Sequence, residues 1–355
     1  MKKRTRNFLF LLFLAAFLVI TPVALLYAFG YFFDFSDFKL IKTGSLYLNS
    51  EPAGASIFLN GEDTGKKTPA LLARLKPGQY QIELARDNAQ KWRKQLPVSS
   101  HQVTEVRDAF LPPLHPVINV ESGIKDLSEL AFDQAVSDRT ARGQKYLKDL
   151  EIPFSASNVR GNFLYFLQQP GFILFEKDLS GDQSPRQISV NNLFSGDLNG
   201  QEAKIIPGPL REIAVITPDQ KLHLLENNRE FIPIKDNVRE VKFFTDESKL
   251  LILSDNEIWV YYLSPTNKQP FHGRGDLIFL TRLSTPIVSL DWHFQGQGVI
   301  FSTETQIKLV EIDERNNRNL FDLLPAKEAA IFTDFKNKKI YFQTQEKVFS
   351  LKLAT

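Results

Sequence analysis

The sequence predicts a mainly β protein with an N-terminal transmembrane helix, a small β-sandwich and a β-propeller of about five blades. Three observations support this order: a basic N-terminus precedes an apolar run, tight-turn signals crowd one early segment, and similar strand–turn–strand segments recur later. The predicted divisions are a cytoplasmic tail (1–7), the transmembrane helix (8–33), the sandwich (44–111), a partly helical linker (112–150) and the propeller-like domain (151–355).

The N-terminal segment has the composition of a membrane anchor. Lys2, Lys3, Arg4 and Arg6 precede an uncharged apolar run at residues 8–33. A helix of about 20 residues spans the hydrocarbon core, whereas the apolar core of a signal peptide is usually only ~7–15 residues long. Length therefore favours an uncleaved single-pass anchor over a cleaved signal peptide. The basic flank predicts a cytoplasmic N-terminus and extracytoplasmic C-terminal domains at the cell membrane.

Composition excludes several classes of function. The 43 basic and 41 acidic residues leave a net charge of +2, which gives no case for nucleic-acid binding, since such domains are clearly basic. Cysteine is absent, so disulfides, thiolate metal sites and cysteine nucleophiles are excluded.

The stretch LNGEDTGKKTPALL, residues 59–72, resembles a phosphate-binding loop but lacks its geometry. A Walker-type loop has four residues between its glycines, whereas three separate Gly61 from Gly65. The residue after Lys66 is a second Lys, and Pro69 interrupts the position where a helix N-terminus should supply free N–H groups. We therefore expect a turn here and not a nucleotide site.

The strand and turn patterns of the same region predict a β-sandwich. Residues 44–50 alternate apolar and polar side chains, as a half-buried strand does. Asn60-Gly61 is a strong hairpin signal, because both residues tolerate positive φ. A turn at Pro77-Gly78 then introduces a further alternating strand.

These motifs, in this order, resemble a PEGA domain over about residues 44–111. The resemblance implies a small extracytoplasmic β module of bacterial or archaeal surface proteins, with no catalytic residues to transfer. The residues that carry it, all with structural roles, are Glu51, Pro52, Ala53, Gly54, Ala55, Asn60, Gly61, Gly65, Thr68, Pro69, Pro77 and Gly78.

The C-terminal half predicts a propeller through its repeats. Thr217, Thr245, His293 and Thr333 occupy apparently equivalent turns at a mean spacing of about 39 residues, close to the ~40–45 of a propeller blade. The architecture is similar to WD40-like or TolB-like propellers, without the Gly-His and Trp-Asp signatures. A sixth blade would need a contribution from residues 116–150, and a β-sandwich is the alternative fold.

No catalytic, metal or cofactor site is predicted. The Gly-x-Ser-x-Gly elbow is absent, and the Ser-x-x-Lys match at residues 36–39 lacks its companion motifs. The oxygen-rich stretches at residues 178–184 and 313–319 lack the spacing of a calcium loop. The histidines do not show metal-ligand spacing; they are His101, His115, His223, His272 and His293.

One aromatic residue is a candidate glycan contact. Trp92 lies between Lys91 and Arg93 on a predicted sandwich strand, where it could stack on a sugar ring or cover the sandwich core.

The predicted function is non-catalytic binding or scaffolding in the cell envelope, with a propeller face presented to a protein or glycan. The alternative is an envelope enzyme acting on polysaccharide, with two carboxylates ~5–10 Å apart at the propeller mouth. A third hypothesis is a sensor that passes ligand occupancy through the membrane helix to a separate cytoplasmic partner.

Overall fold

A computed structural model describes residues 3–34, 38–131, 134–150, 153–169, 171–193 and 202–353. Some predicted features lie wholly or partly outside the described residues: residues 1–2 of the tail, Ser36 of the Ser-x-x-Lys match, residues 132–133 of the linker, and residues 151–152 and 354–355 at the ends of the C-terminal domain.

The N-terminal helix α1, Lys3–Ala28, is long and apolar enough to cross a membrane. Thr5–Ala28 has a mean hydropathy of 2.8 and is not buried against the rest of the chain. A membrane anchor and a signal sequence both fit this helix. Its predicted extension to residue 33 is wrong, because Gly30 turns the chain with φ +77°. The chain then forms a hairpin of β1 (Tyr31–Asp34) and β2 (Lys39–Lys42).

Two facing sheets form the predicted β-sandwich. One has the strand order β6-β3-β9 and the other β5-β4-β7-β8. Alternate residues of β3 point into the core, where Leu46 and Leu48 are fully buried with Ile57 and Leu84 of the opposite sheet. The strands are β3 (Gly44–Glu51), β4 (Ser56–Leu59), β5 (Glu62–Lys67), β6 (Ala70–Leu75), β7 (Gly78–Ala85), β8 (Trp92–Val98) and β9 (Val103–Phe110).

The predicted linker is partly structural. Its strand β10 (Val117–Val120) pairs with the last strand of the chain, so it completes a sheet of the C-terminal domain. Helix α2 (Leu127–Ala131) packs on that last sheet, and helix α3 (Gln134–Asp149) packs on the first. The two helices therefore bridge the ends of the sheet series.

Five four-stranded antiparallel sheets follow within the described residues, as expected of a propeller. Sheets I and II each consist of four consecutive strands. Sheet I contains β11 (Phe154–Arg160), β12 (Phe163–Gln168), β13 (Ile173–Asp178) and β14 (Arg186–Gln187); sheet II contains β15 (Lys204–Pro207), β16 (Ile213–Ile216), β17 (Leu222–Leu225) and β18 (Phe231–Lys235).

Sheets III and IV repeat this plan, and sheet V takes its fourth strand from β10. Sheet III contains β19 (Glu240–Phe243), β20 (Lys249–Leu253), β21 (Glu257–Tyr262) and β22 (Leu277–Arg282). Sheet IV contains β23 (Ser289–Trp292), β24 (Gly298–Ser302), β25 (Gln306–Glu311) and β26 (Leu320–Pro325). Sheet V contains β27 (Ala330–Asp334), β28 (Lys339–Thr344), β29 (Lys347–Lys352) and β10.

First strands of several neighbouring sheets contact each other, as on the inner wall of a propeller. β11 lies against β15 and β23 against β27, and polar side chains reach across. Asn158 Nδ2 donates to the Ile205 carbonyl at 2.7 Å, and Lys242 Nζ donates to the Leu290 carbonyl at 2.9 Å. Buried apolar clusters fill the spaces between neighbouring sheets.

The repeat alignment predicted from the sequence is wrong at one position. Thr245 and His293 follow the first strands of their sheets, and Thr333 lies within the first strand of sheet V. Thr217, however, follows β16, the second strand of sheet II. Sheet II is buried along all four residues of β16, so the apolar pattern alone did not distinguish its second strand from a first strand.

Candidate functional site

The sandwich is joined to the propeller by a buried ionic cluster. Trp92, at the start of β8, is 1% exposed, and its Nε1 donates to Glu311 Oε2 of sheet IV at 2.7 Å. The Lys94 side chain is completely buried; its ammonium donates to Glu311 Oε1 and to the Asp313 carbonyl, the latter at 2.7 Å. Because two side chains of β8, Trp92 and Lys94, donate to one carboxylate of the propeller, the two domains are fixed to each other.

Neighbouring cations oppose the effect of burial on the pKa values of the two carboxylates in this cluster. Burial raises the pKa of Glu311, and the Lys94 ammonium opposes that rise. Burial also acts to raise the pKa of Asp313, but hydrogen bonds from Arg315 and the charge of Lys94 hold that pKa below its usual range. A charge buried here without its partner would be costly.

Further contacts extend the junction on both sides of the cluster. Asn319 exchanges hydrogen bonds with the backbone of Arg93, at 3.2 Å for Arg93 N–H to Asn319 Oδ1 and 3.1 Å for Asn319 Nδ2 to the Arg93 carbonyl. Gln269 Nε2 donates to the Val103 carbonyl at 3.0 Å. The ring of Phe110 lies 4.6 Å from that of His293. The sandwich core is consequently continuous with the apolar core of sheets IV and V.

The structure corrects the suggestion that Trp92 contacts a glycan. Its ring is buried in the junction, so neither face is available to stack on a sugar. Its neighbours Lys91 and Arg93 face solvent with side chains 52% and 65% exposed, and both pair with Glu83. Trp92 therefore covers the core.

Sequence reasoning missed Lys94 and Glu311, although a signal for Lys94 exists. Strand β8 alternates buried and exposed residues, which puts Lys94 on the same buried face as Trp92 and Leu96. A lysine on the apolar face of a strand indicates a buried acidic partner. Nothing in the local sequence identifies that partner as a residue more than 200 positions away.

The predicted motif residues occupy the turns and strand ends of the sandwich. Asn60 and Gly61 connect β4 to β5 with φ values of +50° and +88°, which confirms the predicted hairpin turn. Thr68 is buried; its Oγ1 lies 2.6 Å from Ser50 Oγ and accepts the Ala55 N–H at 3.0 Å. The remaining motif residues lie at or beside the ends of β3 to β7, except for Gly65, which lies within β5 with a φ of +67°; they are Glu51, Pro52, Ala53, Gly54, Gly65, Pro69, Pro77 and Gly78.

The five histidines are dispersed. His293 is fully buried, and burial lowers its pKa to about 4. His272 is buried and stacks on Tyr262 with ring centroids 4.2 Å apart. Within the described residues, no group of three or more His, Asp or Glu side chains is placed to hold a metal ion.

A polar cleft of about 330 Å³ lies between the sandwich and sheets III and IV. Lys249 lines it, and its Nζ donates to the Gly296 carbonyl at 2.8 Å and lies 4.8 Å from the centroid of the Phe244 ring. Burial lowers the pKa of Lys249 to about 8, against the pull of Asp246 and Asp108. Asp108 belongs to β9, so both domains contribute to the cleft, which could hold a small polar ligand.

The buried carboxylate of the inner wall has a structural role. Asp291 on β23 accepts the N–H groups of Trp292 at 2.8 Å and Thr333 at 3.0 Å, and lies 3.4 Å from Lys242 Nζ. Burial raises the pKa of Asp291, and Lys242 opposes the rise. Asp291 therefore links sheets III, IV and V.

Known proteins resemble separate parts of the chain. The family model described as the PEGA domain matches residues 43–112, and no curated protein matches the chain. A β-propeller domain from Myceliophteria thermophila is similar with a TM-score of 0.40 at 8% identity, over 57% of this chain and 71% of its own. A functionally unknown protein from Desulfotomaculum acetoxidans has a TM-score of 0.39 at 11% identity, over 58% and 70%. A gluconolactonase from Xanthomonas campestris has a TM-score of 0.32 at 13% identity, over 56% and 72%.

These structural similarities are too low to bear on function, so the propeller assignment depends on the five sheets themselves. The match at residues 43–112 agrees with the sandwich boundaries, the turn residues and the core. This chain therefore contains a PEGA domain, joined to a β-propeller and preceded by an apolar N-terminal helix.

Proposed function

We propose that this protein is a single-pass membrane protein whose PEGA domain and propeller act as one rigid, non-catalytic binding or scaffold unit in the cell envelope. The main supporting observation is the junction, where Glu311 joins Trp92 and Lys94 of the PEGA domain to sheet IV. Movement of one domain relative to the other would break this buried ion pair, so the pair favours a fixed arrangement of the two domains. A rigid unit can instead present both domains to one protein or glycan partner.

The proposed location follows from the N-terminal segment and the type of domain. Basic residues precede the apolar helix and favour a cytoplasmic N-terminus. PEGA domains are of the extracytoplasmic type, which agrees with that orientation. The helix then anchors the unit at the outer face of the membrane.

Cysteine labelling tests this topology directly, because the chain has no native cysteine. Full-length variants with Glu62→Cys in the PEGA domain or Lys336→Cys in the propeller should react with a membrane-impermeant maleimide on intact cells. Thr5→Cys should react only after permeabilisation. All three sites are exposed, so differences report the side of the membrane. Labelling of Thr5→Cys alone on intact cells, or recovery of a mature chain that starts after residue 28, would overturn the proposed anchor.

Binding is tested with the full chain in detergent against isolated envelope polysaccharide and, by cross-linking through Lys336→Cys in cells, against envelope proteins. We expect saturable binding to one of these. Asn267→Arg places a large cation at the exposed rim of the 330 Å³ cleft, and Asn228→Arg makes the same change on a distant exposed loop. Loss of binding in the first variant alone assigns the ligand to the cleft. No saturable binding to either class contradicts the proposed role.

A further inference from the structure

The outer strand of sheet V differs from the other outer strands of the propeller. Every residue of β10 is exposed, with Val117 at 50%, Ile118 at 43% and Val120 at 62%, and the strand contains no charge and no proline. Charged residues on an edge strand oppose pairing with another chain. Each of the outer strands β14, β18, β22 and β26 carries one; these are Arg186, Lys235, Arg282 and Asp322. β10 lacks this protection.

The backbone of β10 has an open hydrogen-bonding edge. Just beyond the strand, the Glu121 N–H donates to the Val348 carbonyl of β29 at 2.9 Å. Bonded and non-bonded pairs alternate along an antiparallel ladder, so Ile118 and Val120 direct their N–H and C=O groups away from β29. Among the described residues, no loop, turn or side-chain hydrogen bond reaches these outward groups. The edge can therefore accept another strand.

A basic groove begins at the N-terminal end of this edge. It has a volume of about 970 Å³, and His115, two residues before the strand, lines it together with the PEGA domain. Lys67, Arg86 and Lys91 line it with one carboxylate, Asp87, and Lys91 pairs with Glu83 beside the groove. Lys67 and Arg86 form no ion pair among the described residues. The groove is thus positively charged and continuous with an unprotected apolar edge.

We propose that β10 and this groove together bind an extended segment of a partner protein. The segment adds to β10 as an antiparallel strand through branched apolar residues and continues into the groove with acidic residues. Because an antiparallel strand runs from Val120 towards Val117, the acidic residues follow the apolar ones in the partner's sequence. Main-chain hydrogen bonds supply affinity in such strand addition, and side-chain contacts supply specificity. This proposal rests on the proposed binding function and specifies the partner.

A second copy of the chain satisfies the site less well. If β10 paired with β10 of another copy, only Glu121 would follow the apolar strand before the chain turns towards α2. One carboxylate could pair with only one of the two cations, Lys67 and Arg86, that form no ion pair among the described residues. A four-residue strand pair is also far smaller than the ~1,200 Å² of a stable interface.

The test uses the full chain in detergent and a fluorescein-labelled peptide, Thr-Val-Thr-Val-Thr-Val-Asp-Glu-Asp. A control peptide of the same composition carries the three acidic residues first. Fluorescence anisotropy should show saturable binding of the first peptide, at least about tenfold tighter than the control, which corresponds to about 1.4 kcal/mol. Hydrogen exchange at the amides of Ile118 and Val120 should slow when the peptide is bound.

Variants separate the edge from the groove. Val120→Lys gives β10 the protection that the other outer strands have and should weaken binding about tenfold or more. Arg86→Glu should weaken binding and reduce its dependence on salt. The matched control Leu320→Lys makes the same change at an exposed apolar residue on the outer strand of sheet IV, 44% exposed against 62% for Val120, and should leave binding unchanged. All three positions are outside the core, and thermal unfolding verifies that each variant is folded.

The proposal would be overturned if the first peptide showed no saturable binding up to about 1 mM, the weakest affinity of interest. Equal binding of the two peptides would also overturn it, as would binding that Val120→Lys leaves unchanged. Self-association of the full chain that Val120→Lys abolishes, without peptide binding, would assign the edge to a second copy. The cysteine labelling described above reports topology independently, so failure of this proposal is distinguishable from failure of the proposed function.

Discussion

Breaking the buried Lys94–Glu311 pair should cost more stability than breaking an exposed ion pair such as Lys91–Glu83. The Lys94 side chain is 0% exposed and that of Glu311 is 9% exposed. Removing one partner of a buried pair typically costs about 3–5 kcal/mol, because the other charge is left uncompensated. Glu311→Ala should therefore destabilise the full chain by about 3–5 kcal/mol. It also removes the acceptor for Trp92 Nε1 and for Asn319 N–H, the latter bond being 2.8 Å long.

Thermal and urea unfolding in detergent measure this effect, which should lower Tm by about 6–20 °C at the ~2–4 °C per kcal/mol typical of large domains. The double variant Lys94→Met/Glu311→Leu buries no charge and should be more stable than Glu311→Ala alone. Lys91→Met, which removes an exposed pair on the same segment, should cost only about 0–1 kcal/mol. The reasoning fails if Glu311→Ala behaves like Lys91→Met, or if the double variant is the least stable of the series.

Three further changes probe the same region. Burial lowers the pKa of His293 to about 4 from its ordinary 6.5. The stability that depends on a neutral His293 is therefore fully present above pH 6.5 and is lost as the pH falls towards 4, by about 3 kcal/mol in all. Unfolding curves at a series of pH values should show this loss of stability, and His293→Leu should make the loss smaller. Gly296→Ala should destabilise the protein by about 2 kcal/mol in a urea titration, because Gly296 has φ +75° and an added Cβ would lie 2.5 Å from the Phe244 ring. In the same titration the control Gly273→Ala should be neutral, because a Cβ added there meets nothing within 4 Å. Trp92→Phe keeps most of the apolar volume but loses the indole hydrogen bond, so it should cost about 1–2 kcal/mol, and an unchanged unfolding midpoint would contradict the role assigned to that bond.

Local patterns were sufficient to predict the PEGA domain. Its strands alternate with period two, and Asn60-Gly61 marks a turn that the structure places at positive φ in both residues. These signals depend on residues close together in the chain. The closing strand β9 pairs in parallel with β3, and this pairing joins residues too far apart in the chain for a local pattern to indicate it.

The junction could not be predicted, because it depends on pairings across more than 200 residues. Lys94 is recognisable as a lysine on a buried strand face, whereas Glu311 ends an apolar strand like many others. Trp92 was ambiguous for the same reason: strand alternation places it on one face of β8 but does not reveal that sheet IV covers that face. The repeat alignment was wrong at Thr217 because a short apolar strand followed by a polar turn also describes β16, the second strand of sheet II.

The segment between the two domains is fixed along the PEGA domain, and this affects how the proposed partner is recognised. Leu111 N–H donates to the Glu51 carbonyl at 2.9 Å, Gln90 N–H to the Pro112 carbonyl at 2.8 Å, and Leu114 N–H to the Asn88 carbonyl at 2.8 Å. The chain therefore reaches β10 at a defined point of the groove.

The edge strand and the basic groove are held in a fixed relative position, so one segment can bind both with its apolar and acidic parts. Once the first part has bound, binding of the second part costs little further conformational entropy. A variant that destabilises the junction should then weaken binding of the peptide, even though no junction residue contacts the peptide. Glu311→Ala, assayed at a temperature where it is still folded, should reduce binding of the acidic-tailed peptide but not that of Thr-Val-Thr-Val-Thr-Val alone. Equal loss for both peptides would mean that the variant perturbs the edge itself, and no loss for either would mean that the two contacts act independently.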